Sequence, residues 1–189
     1  MLAITWIYLG LMSKEFFVRD WLKARPVLYM VTHMAIMPLV DLYTTSCDWV
    51  PAGFLRPPRG LLWFLLVSFF NGMVVEIGRK IRSPQDEEVG VETYSFLWGR
   101  RNAIVAWLGM LACTAGFAYV AAGKIGFARL VLILLILLFF AALAVAIYFL
   151  QHAVPKRGKY IEAMAGVWSL LMYLSLGFIP MVLRQWGVE

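Results

Sequence analysis

The chain contains several apolar segments long enough to cross a lipid bilayer, and this most constrains its fold. No residue between Leu130 and Ile147 carries a polar side chain. About 20 apolar residues in a helix cross a hydrocarbon core of about 30 Å. The chain is 62% apolar and 15% charged, whereas soluble domains average about 45–50% apolar and about 25% charged. The sequence therefore predicts an all-α, multi-pass transmembrane helical bundle, with residues 1–189 forming one domain.

Five complete spans are predicted, together with one partial span at the N-terminus. The complete spans are placed at 26–43, 61–79, 103–121, 127–150 and 160–183. The apolar stretch 1–12 would rise only about 18 Å as a helix. It is therefore either re-entrant or the end of a span whose first part is missing.

The segments between the spans have their own signals. Residues 13–25 alternate charged and aromatic side chains, which predicts a helix at the membrane interface. Residues 44–60 are rich in Pro and Gly, which predicts a loop. The helix of span 61–79 could continue to Ser83, where Pro84 would stop it.

The lysines and arginines predict an orientation for the bundle. Twelve of the 17 basic residues lie in segments 14–25, 79–101 and 156–159, on one side of the predicted spans, and five lie on the other. The positive-inside rule places the first group in the cytoplasm and the C-terminus on the outer side. The net charge of +6 thus comes from short loops between spans, which favours contact with lipid headgroups over nucleic acid. We expect an integral membrane protein, in the inner membrane if the cell is bacterial.

Charge is concentrated at the end of the span 61–79. Ten of the 28 charged residues lie between Glu76 and Arg101. On a helical wheel, the polar residues of this span from Ser68 to Arg79 fall within an arc of about 140°, at 100° per residue. Ionisable groups in a membrane seldom face lipid, so this face predicts an internal cavity. Neutralisation of Glu76 by Arg79 near the interface is the alternative.

The loop that follows the span combines acidic and basic groups. Asp86, Glu87 and Glu88 come directly after Arg79, Lys80 and Arg82. Carboxylates hold Mg²⁺, whose coordination is often completed by phosphate oxygens of a substrate, and Arg and Lys bind phosphates directly. The pattern suggests a metal–diphosphate site at the membrane surface. A solvated loop of mixed charge is the alternative.

Two further spans carry polar faces. His33, Met37 and Asp41 share one side of span 26–43, which suggests either a proton relay or a polar seam between helices. Polar or small residues also repeat on one side of the last span. The candidate cavity-lining residues, on the polar faces of spans 61–79 and 160–183, are Ser68, Asn71, Glu162, Ser169 and Tyr173.

The charged loop resembles a motif of a known family. Residues 86–93 read D-x3-G-x2-T and are followed by Leu97-Trp98-Gly99-Arg100. This resembles the second aspartate-rich motif of the UbiA-type membrane prenyltransferases (4-hydroxybenzoate polyprenyltransferase-like), at the cytoplasmic end of that family's sixth helix. The order of spans agrees as well. The chain would correspond to the family's helices from late in the fourth to the ninth, the C-terminal two-thirds of its fold, and the resemblance implies a truncated N-terminus.

The resemblance implies a function and assigns residues to it. The family transfers a prenyl group from a prenyl diphosphate to an aromatic or other lipophilic acceptor, with Mg²⁺ bridging two Asp-rich motifs and the diphosphate. The expected metal ligands, with Asp86 the best match to the motif, are Asp86, Glu76, Glu87 and Glu88. The expected diphosphate-binding residues are Arg79, Lys80, Arg82 and Lys14.

The chain departs from the family pattern in two places. Arg82 occupies the position, four residues before Asp86, where the family's second motif usually has another Asp, and Glu76 could take over that role. The family's first motif, an Asn/Asp-rich sequence at the end of its second helix, does not occur in these 189 residues. We therefore expect this chain alone to be inactive as a prenyltransferase. A non-catalytic membrane carrier or scaffold derived from the same fold is the alternative.

Overall fold

The computed structural model describes residues 1–152 and 154–187. Ala153, in the predicted basic loop 151–159, and Val188 and Glu189 lie outside the described residues. The described residues form helices and loops without a β-strand, which confirms the all-α prediction. The α-helices are α1 (Leu2–Ser13), α2 (Arg19–Lys23), α3 (Pro26–Met34), α4 (Ile36–Trp49), α5 (Leu61–Arg79), α6 (Tyr94–Trp98), α7 (Arg100–Lys124), α8 (Ala128–Gln151), α9 (Gly158–Tyr173) and α10 (Ile179–Gln185).

Five helical segments in the described part of the chain are long and apolar enough to span a membrane. They are Pro26–Trp49, Leu61–Arg79, Arg100–Lys124, Ala128–Gln151 and Gly158–Gln185. The prediction of five complete spans and a short apolar N-terminal helix is thus confirmed. Three of the spans extend two to six residues beyond the predicted bounds, because polar and charged residues at their ends remain helical, and the other two agree to within one residue.

Helix α5 lies at the centre of the bundle and packs against α3, α4, α7 and α9. Its apolar face buries Val67, Val74 and Ile77 almost completely. The indole of Trp107, itself fully buried on α7, donates a hydrogen bond of 3.1 Å to the carbonyl of Val74. A buried indole N–H needs such a partner, so this contact fixes the register of α7 against α5.

Two glycines allow α9 to pack closely against the end of α5 and the residues that follow it. A Cβ on Gly78 would lie 2.8 Å from the Cβ of Ala165 on α9. Gly158, at the start of α9, is packed so closely on the backbone of Ile81 that a Cβ there would overlap its carbonyl oxygen. Both glycines therefore bring α9 against the charged end of α5.

The segment 13–25 differs from the single interfacial helix that the sequence predicts. Glu15, Phe16 and Phe17 adopt left-handed backbone angles, with φ between 49° and 59°, and only Arg19–Lys23 is α-helical. The left-handed turn reverses the chain, so α1 packs against α4. Thr5 Oγ1 donates a hydrogen bond of 3.3 Å to the carbonyl of Leu39 across this contact, and the Tyr8 hydroxyl donates one of 2.6 Å to the carbonyl of Thr32 on α3.

The first complete span is longer than predicted and is interrupted at Ala35, between α3 and α4. Pro38 accounts for the interruption because proline cannot donate to the carbonyl four residues earlier. The predicted loop 44–60 is wrong over its first six residues, which are helical to Trp49. There the hydroxyls of Thr45 and Ser46 donate to carbonyls one turn back, at 2.7 and 2.6 Å, so polar side chains are accommodated within the helix.

Helix α5 ends at Arg79 and does not continue to Ser83. The backbone beyond it finds partners in the segment before α6: the carbonyl of Lys80 accepts from the amide of Tyr94 at 3.0 Å, and the amide of Arg82 donates to Ser95 Oγ at 2.8 Å. These bonds replace the helical ones that a longer α5 would have made. The last span contains a π-helical turn, Leu174–Phe178, which ends two residues before Pro180, consistent with a backbone adjustment near a residue without an N–H.

Candidate functional site

A cavity of about 470 Å³ lies at the charged end of α5, between the loop 81–88 and the start of α9. We call it the charged cavity. Its lining contains four basic and four acidic side chains, with Ile81, Gln85 and Gly158 between them. The charged residues are Arg79, Arg82, Lys156, Lys159, Asp86, Glu87, Glu88 and Glu162. Both signs of charge thus face one volume, and a site that holds both a metal and a phosphate needs both signs.

A second cavity, of about 300 Å³, lies between α3–α4 on one side and α5 and α9 on the other. We call it the apolar cavity. Its lining residues are Met34, Met37, Asn71, Gly72, Val75, Glu76, Arg79, Ser169 and Tyr173. Arg79 lines both cavities. The charged cavity and the apolar cavity are therefore neighbours that share this side chain.

Glu76 joins two basic residues at this junction. Its Oε2 accepts from Arg79 at 2.5 Å, and its Oε1 lies 2.8 Å from Lys80 Nζ. Glu76 is 8% exposed, so its charge is compensated by these partners instead of by water. This geometry matches the neutralisation alternative for Glu76 and Arg79, although both residues also line the apolar cavity.

The three acidic residues of the loop have different environments. Both carboxylate oxygens of Glu87 accept hydrogen bonds, from Thr93 Oγ1 at 2.5 Å and from Ser95 Oγ at 2.7 Å. Asp86 Oδ2 accepts from the amide of Lys156 at 2.6 Å. Glu88 Oε1 accepts from Arg82 at 2.9 Å. Glu87 therefore organises the loop itself, while Asp86 and Glu88 each make one hydrogen bond through a single carboxylate oxygen within the described residues.

The predicted diphosphate-binding residues do not all reach the same volume. Arg79 and Arg82 line the charged cavity, whereas Lys80 lines a separate groove beside Tyr94 and Glu92. The Lys80 Nζ lies 5.6 Å from the centre of the Tyr94 ring. Burial raises the pKa of the Tyr94 hydroxyl, and the nearby Glu76 carboxylate raises it further, so the ring stays neutral beneath the ammonium group. Lys14, at the end of α1, lines neither cavity.

Lys156, Lys159 and the close-packed Gly158 are site residues that the sequence argument missed. They precede or begin α9 and contribute to the charged cavity opposite Asp86. Ser83 Oγ also donates to the carbonyl of Val154 at 2.7 Å, which ties the same two loops together. The sequence did contain a signal for the two lysines, because the basic segment 156–159 was predicted to lie on the same side of the membrane as the charged loop 79–101.

The predicted cavity-lining residues divide between the two cavities. Asn71, Ser169 and Tyr173 line the apolar cavity, with Ser169 Oγ donating to Asn71 Oδ1 at 3.2 Å. Ser68 is fully buried behind them, 2.9 Å from the Tyr173 hydroxyl. Glu162 lines the charged cavity. The polar stripes of α5 and α9 therefore face one another across the bundle.

The polar face of the first span is less uniform. His33 is stacked on Tyr29, with ring centroids 3.9 Å apart, and its Nδ1 is 2.8 Å from the Tyr29 carbonyl. Met37 lines the apolar cavity, whereas Asp41 lines neither cavity. His33 is thus engaged within its own helix, and of these three residues only Met37 borders the candidate site.

The acidic residues of the charged cavity fit a magnesium site of the kind that a substrate completes. No group of three His, Cys, Asp or Glu side chains converges on one point within residues 1–152 and 154–187, so they do not form an all-protein cage. Mg²⁺ in phosphate-binding sites commonly uses only one or two carboxylates and takes its other ligands from water and phosphate. Asp86 and Glu88 line the same cavity and could supply those carboxylates.

Comparison of this chain with protein-family models, with curated proteins and with solved structures finds no match.

Proposed function

We propose that the chain is the C-terminal two-thirds of a UbiA-type prenyltransferase fold and binds a prenyl diphosphate across its two cavities. The observation that carries the proposal is Arg79, which lines both. A molecule with a doubly phosphorylated head and an isoprenoid tail needs a charged volume directly continuous with an apolar one. The resemblance of residues 86–93 to the family's second Asp-rich motif supports the same assignment.

The side chains of the charged cavity would bind the diphosphate head. The guanidinium groups of Arg79 and Arg82 can each donate two hydrogen bonds to phosphate oxygens. Lys156 and Lys159 add positive charge from the opposite side of the cavity. Asp86 and Glu88 would hold Mg²⁺, which supplies charge neutralisation for a departing diphosphate when bound. The Met34, Met37 and Val75 side chains would bind the tail and exclude water from its reactive end.

The proposal includes the transfer of the prenyl group to an aromatic or other lipophilic acceptor in the membrane. It also places the charged cavity on the cytoplasmic side, following the distribution of Lys and Arg among the loops. The orientation is tested by thiol labelling in a background without Cys47 and Cys113. Glu88→Cys should react with an impermeant reagent from the cytoplasmic side, and Ala52→Cys from the outer side. The opposite pattern would reverse the orientation.

Binding of farnesyl thiodiphosphate, an analogue that resists cleavage, to the purified chain in lipid nanodiscs tests the proposal. We expect Mg²⁺-dependent binding that weakens about 10- to 100-fold in Arg79→Gln, the equivalent of about 1.5–3 kcal/mol for a lost charged hydrogen bond. Lys159→Gln should weaken binding by a smaller factor. Arg129→Gln, an exposed residue at the other end of the bundle, is the matched control and should bind like the unmodified chain.

Two results would decide between the alternatives. Absence of Mg²⁺-dependent binding, or equal losses in Arg79→Gln and Arg129→Gln, would overturn the proposal. Binding without prenyl transfer, in a longer form of the protein that contains an N-D-x-x-D-like first motif, would instead favour a non-catalytic carrier or scaffold.

A further inference from the structure

A third cavity, of about 460 Å³, lies beside the same end of α5 and shares no lining residue with the charged cavity or the apolar cavity. We call it the lysine groove. One of its walls comes from the end of α2 and the start of α3, and the other from the end of α5 and residues 90–97. The proposed function makes no use of this volume.

Two lysines supply positive charge to the lysine groove from its two walls. Lys23 Nζ lies 3.9 Å from Glu15 Oε1, beyond hydrogen-bond distance. Lys80 Nζ lies 2.8 Å from Glu76 Oε1, but an ammonium group has three donors. Pro26, the first residue of α3, also lines the groove, which places the positive end of that helix dipole there. The groove therefore has hydrogen-bond donors and positive charge to offer to an anion.

The surroundings of the two lysines are aromatic or apolar. Tyr29 and Tyr94 line the groove from opposite walls, and tyrosine is enriched where a membrane meets water. Val91 and Leu97 also line it and are 42% and 38% exposed. Glu92 is an acidic residue of the lining, but it is exposed, so water weakens its repulsion of an anion. A ligand with a phosphate and apolar chains would meet a partner for each part.

We propose that the lysine groove binds the phosphate group of an anionic glycerophospholipid. Lys23 and Lys80 donate to the phosphate oxygens, and Val91 and Leu97 contact the start of the acyl chains. Basic pockets between membrane helices bind such headgroups on the cytoplasmic side, where the distribution of Lys and Arg predicts this end of the bundle. The inference gives Lys80, which does not line the charged cavity, a ligand of its own, and it does not depend on the proposed function.

Native mass spectrometry of the purified chain in detergent micelles tests the site, because it resolves individual bound lipids. The chain is titrated with dioleoyl phosphatidylglycerol and, separately, with dioleoyl phosphatidylcholine, which has the same acyl chains but no net charge. We expect the first phosphatidylglycerol to bind about tenfold more tightly than the first phosphatidylcholine. An excess of inorganic phosphate should not displace the lipid, because free phosphate makes no apolar contacts.

Variants separate the lysine groove from the general charge of the surface. Lys23→Gln should weaken phosphatidylglycerol binding about fivefold, the usual effect of one basic residue near a lipid headgroup. Lys80→Gln should act in the same direction, and Lys23→Arg should bind like the unmodified chain because it keeps the charge. The Lys23 side chain is 46% exposed, so both of its variants should fold, which thermal unfolding checks. Arg101→Gln is the matched control, since Arg101 is exposed in the first turn of α7 and does not line the groove.

The outcomes are distinct. A loss in Lys23→Gln and Lys80→Gln, with Lys23→Arg and Arg101→Gln unchanged, would support the site. Equal binding of the two lipids, or equal losses in Lys23→Gln and Arg101→Gln, would overturn it, because the surface charge as a whole would then attract the lipid. Displacement by inorganic phosphate would also overturn it, because the groove would then bind a free anion instead of a lipid.

Discussion

Helix α5 separates a tightly packed half of the molecule from a loosely packed one. In the three spans on the tight side, 22–33% of the most apolar stretch is buried, against 6% in Pro26–Trp49 on the loose side. On the tight side Trp107 and Trp168 are fully buried between helices, whereas α1 on the loose side has no buried residue. The apolar cavity lies between the two halves, and the charged cavity lies at the end of α5, beside the start of α9.

The difference indicates how such a site can combine precision with access. Arg79 of α5 and Lys159 and Glu162 of α9 are held by helices, whereas the other five charged groups of the charged cavity lie in the adjoining loops. Hydrogen bonds between those loops hold them in place. The apolar cavity is bordered on one side by α3–α4, whose apolar residues are mostly not buried. A lipophilic ligand could enter there by displacing lipid without disturbing the packed core.

The largest effect should come from removing a tryptophan from the tight half. Trp107→Ala is expected to reduce the free energy of unfolding by about 3–5 kcal/mol, from lost apolar contacts and an unfilled cavity. The hydrogen bond to the Val74 carbonyl is lost as well. Trp6→Ala on α1, where the side chain is 64% exposed, should change it by less than about 0.5 kcal/mol. Denaturant unfolding in mixed micelles measures both variants, and equal losses would show that the two halves do not differ.

A smaller effect is expected where helices touch through a glycine. Gly78→Ala places a methyl group 2.8 Å from Ala165 Cβ and 3.2 Å from the Trp107 indole nitrogen. Overpacking of this kind costs about 1–3 kcal/mol. Gly109→Ala on α7 meets no atom within 4 Å and should instead stabilise the helix by about 0.5–1 kcal/mol. The opposite signs, measured by the same unfolding assay, would confirm that α5 and α9 are in close contact. A stabilised Gly78→Ala variant would contradict it.

Hydrophobic patterning in the sequence was sufficient for the number and approximate bounds of the spans. Runs such as 130–147 have no plausible alternative to a membrane or fully buried helix. The helical wheel of α5 also identified the polar face that now lies against Ser169 and Tyr173. These features depend on residues close in sequence, which is why one sequence could predict them.

Features that depend on contacts distant in sequence could not be predicted. The end of α5 at Arg79 results from hydrogen bonds with residues 94 and 95. The left-handed turn at Glu15–Phe17 has no glycine or proline to signal it. All three acidic residues line the charged cavity, but only Glu87 organises the loop, because both of its carboxylate oxygens accept from the hydroxyls of Thr93 and Ser95. A charge pattern alone treats all three carboxylates alike.

The smallest effect should be confined to the charged loop. In Glu87→Gln, one oxygen that accepts from Thr93 or Ser95 becomes an amide donor facing a hydroxyl, at a cost of about 1 kcal/mol. Since Ser95 also accepts from the Arg82 amide, the loop should open more often while the helices stay intact. Hydrogen exchange should increase at residues 82–96 and remain unchanged in α7.

Glu92→Gln is the matched control because Glu92 is exposed. If exchange increased equally in both variants, Glu87 would not be the residue that fixes the loop. If it increased throughout α5 and α9 as well, the loop would belong to the packed core, and the boundary between a rigid half and a separately opening site would have to be drawn elsewhere.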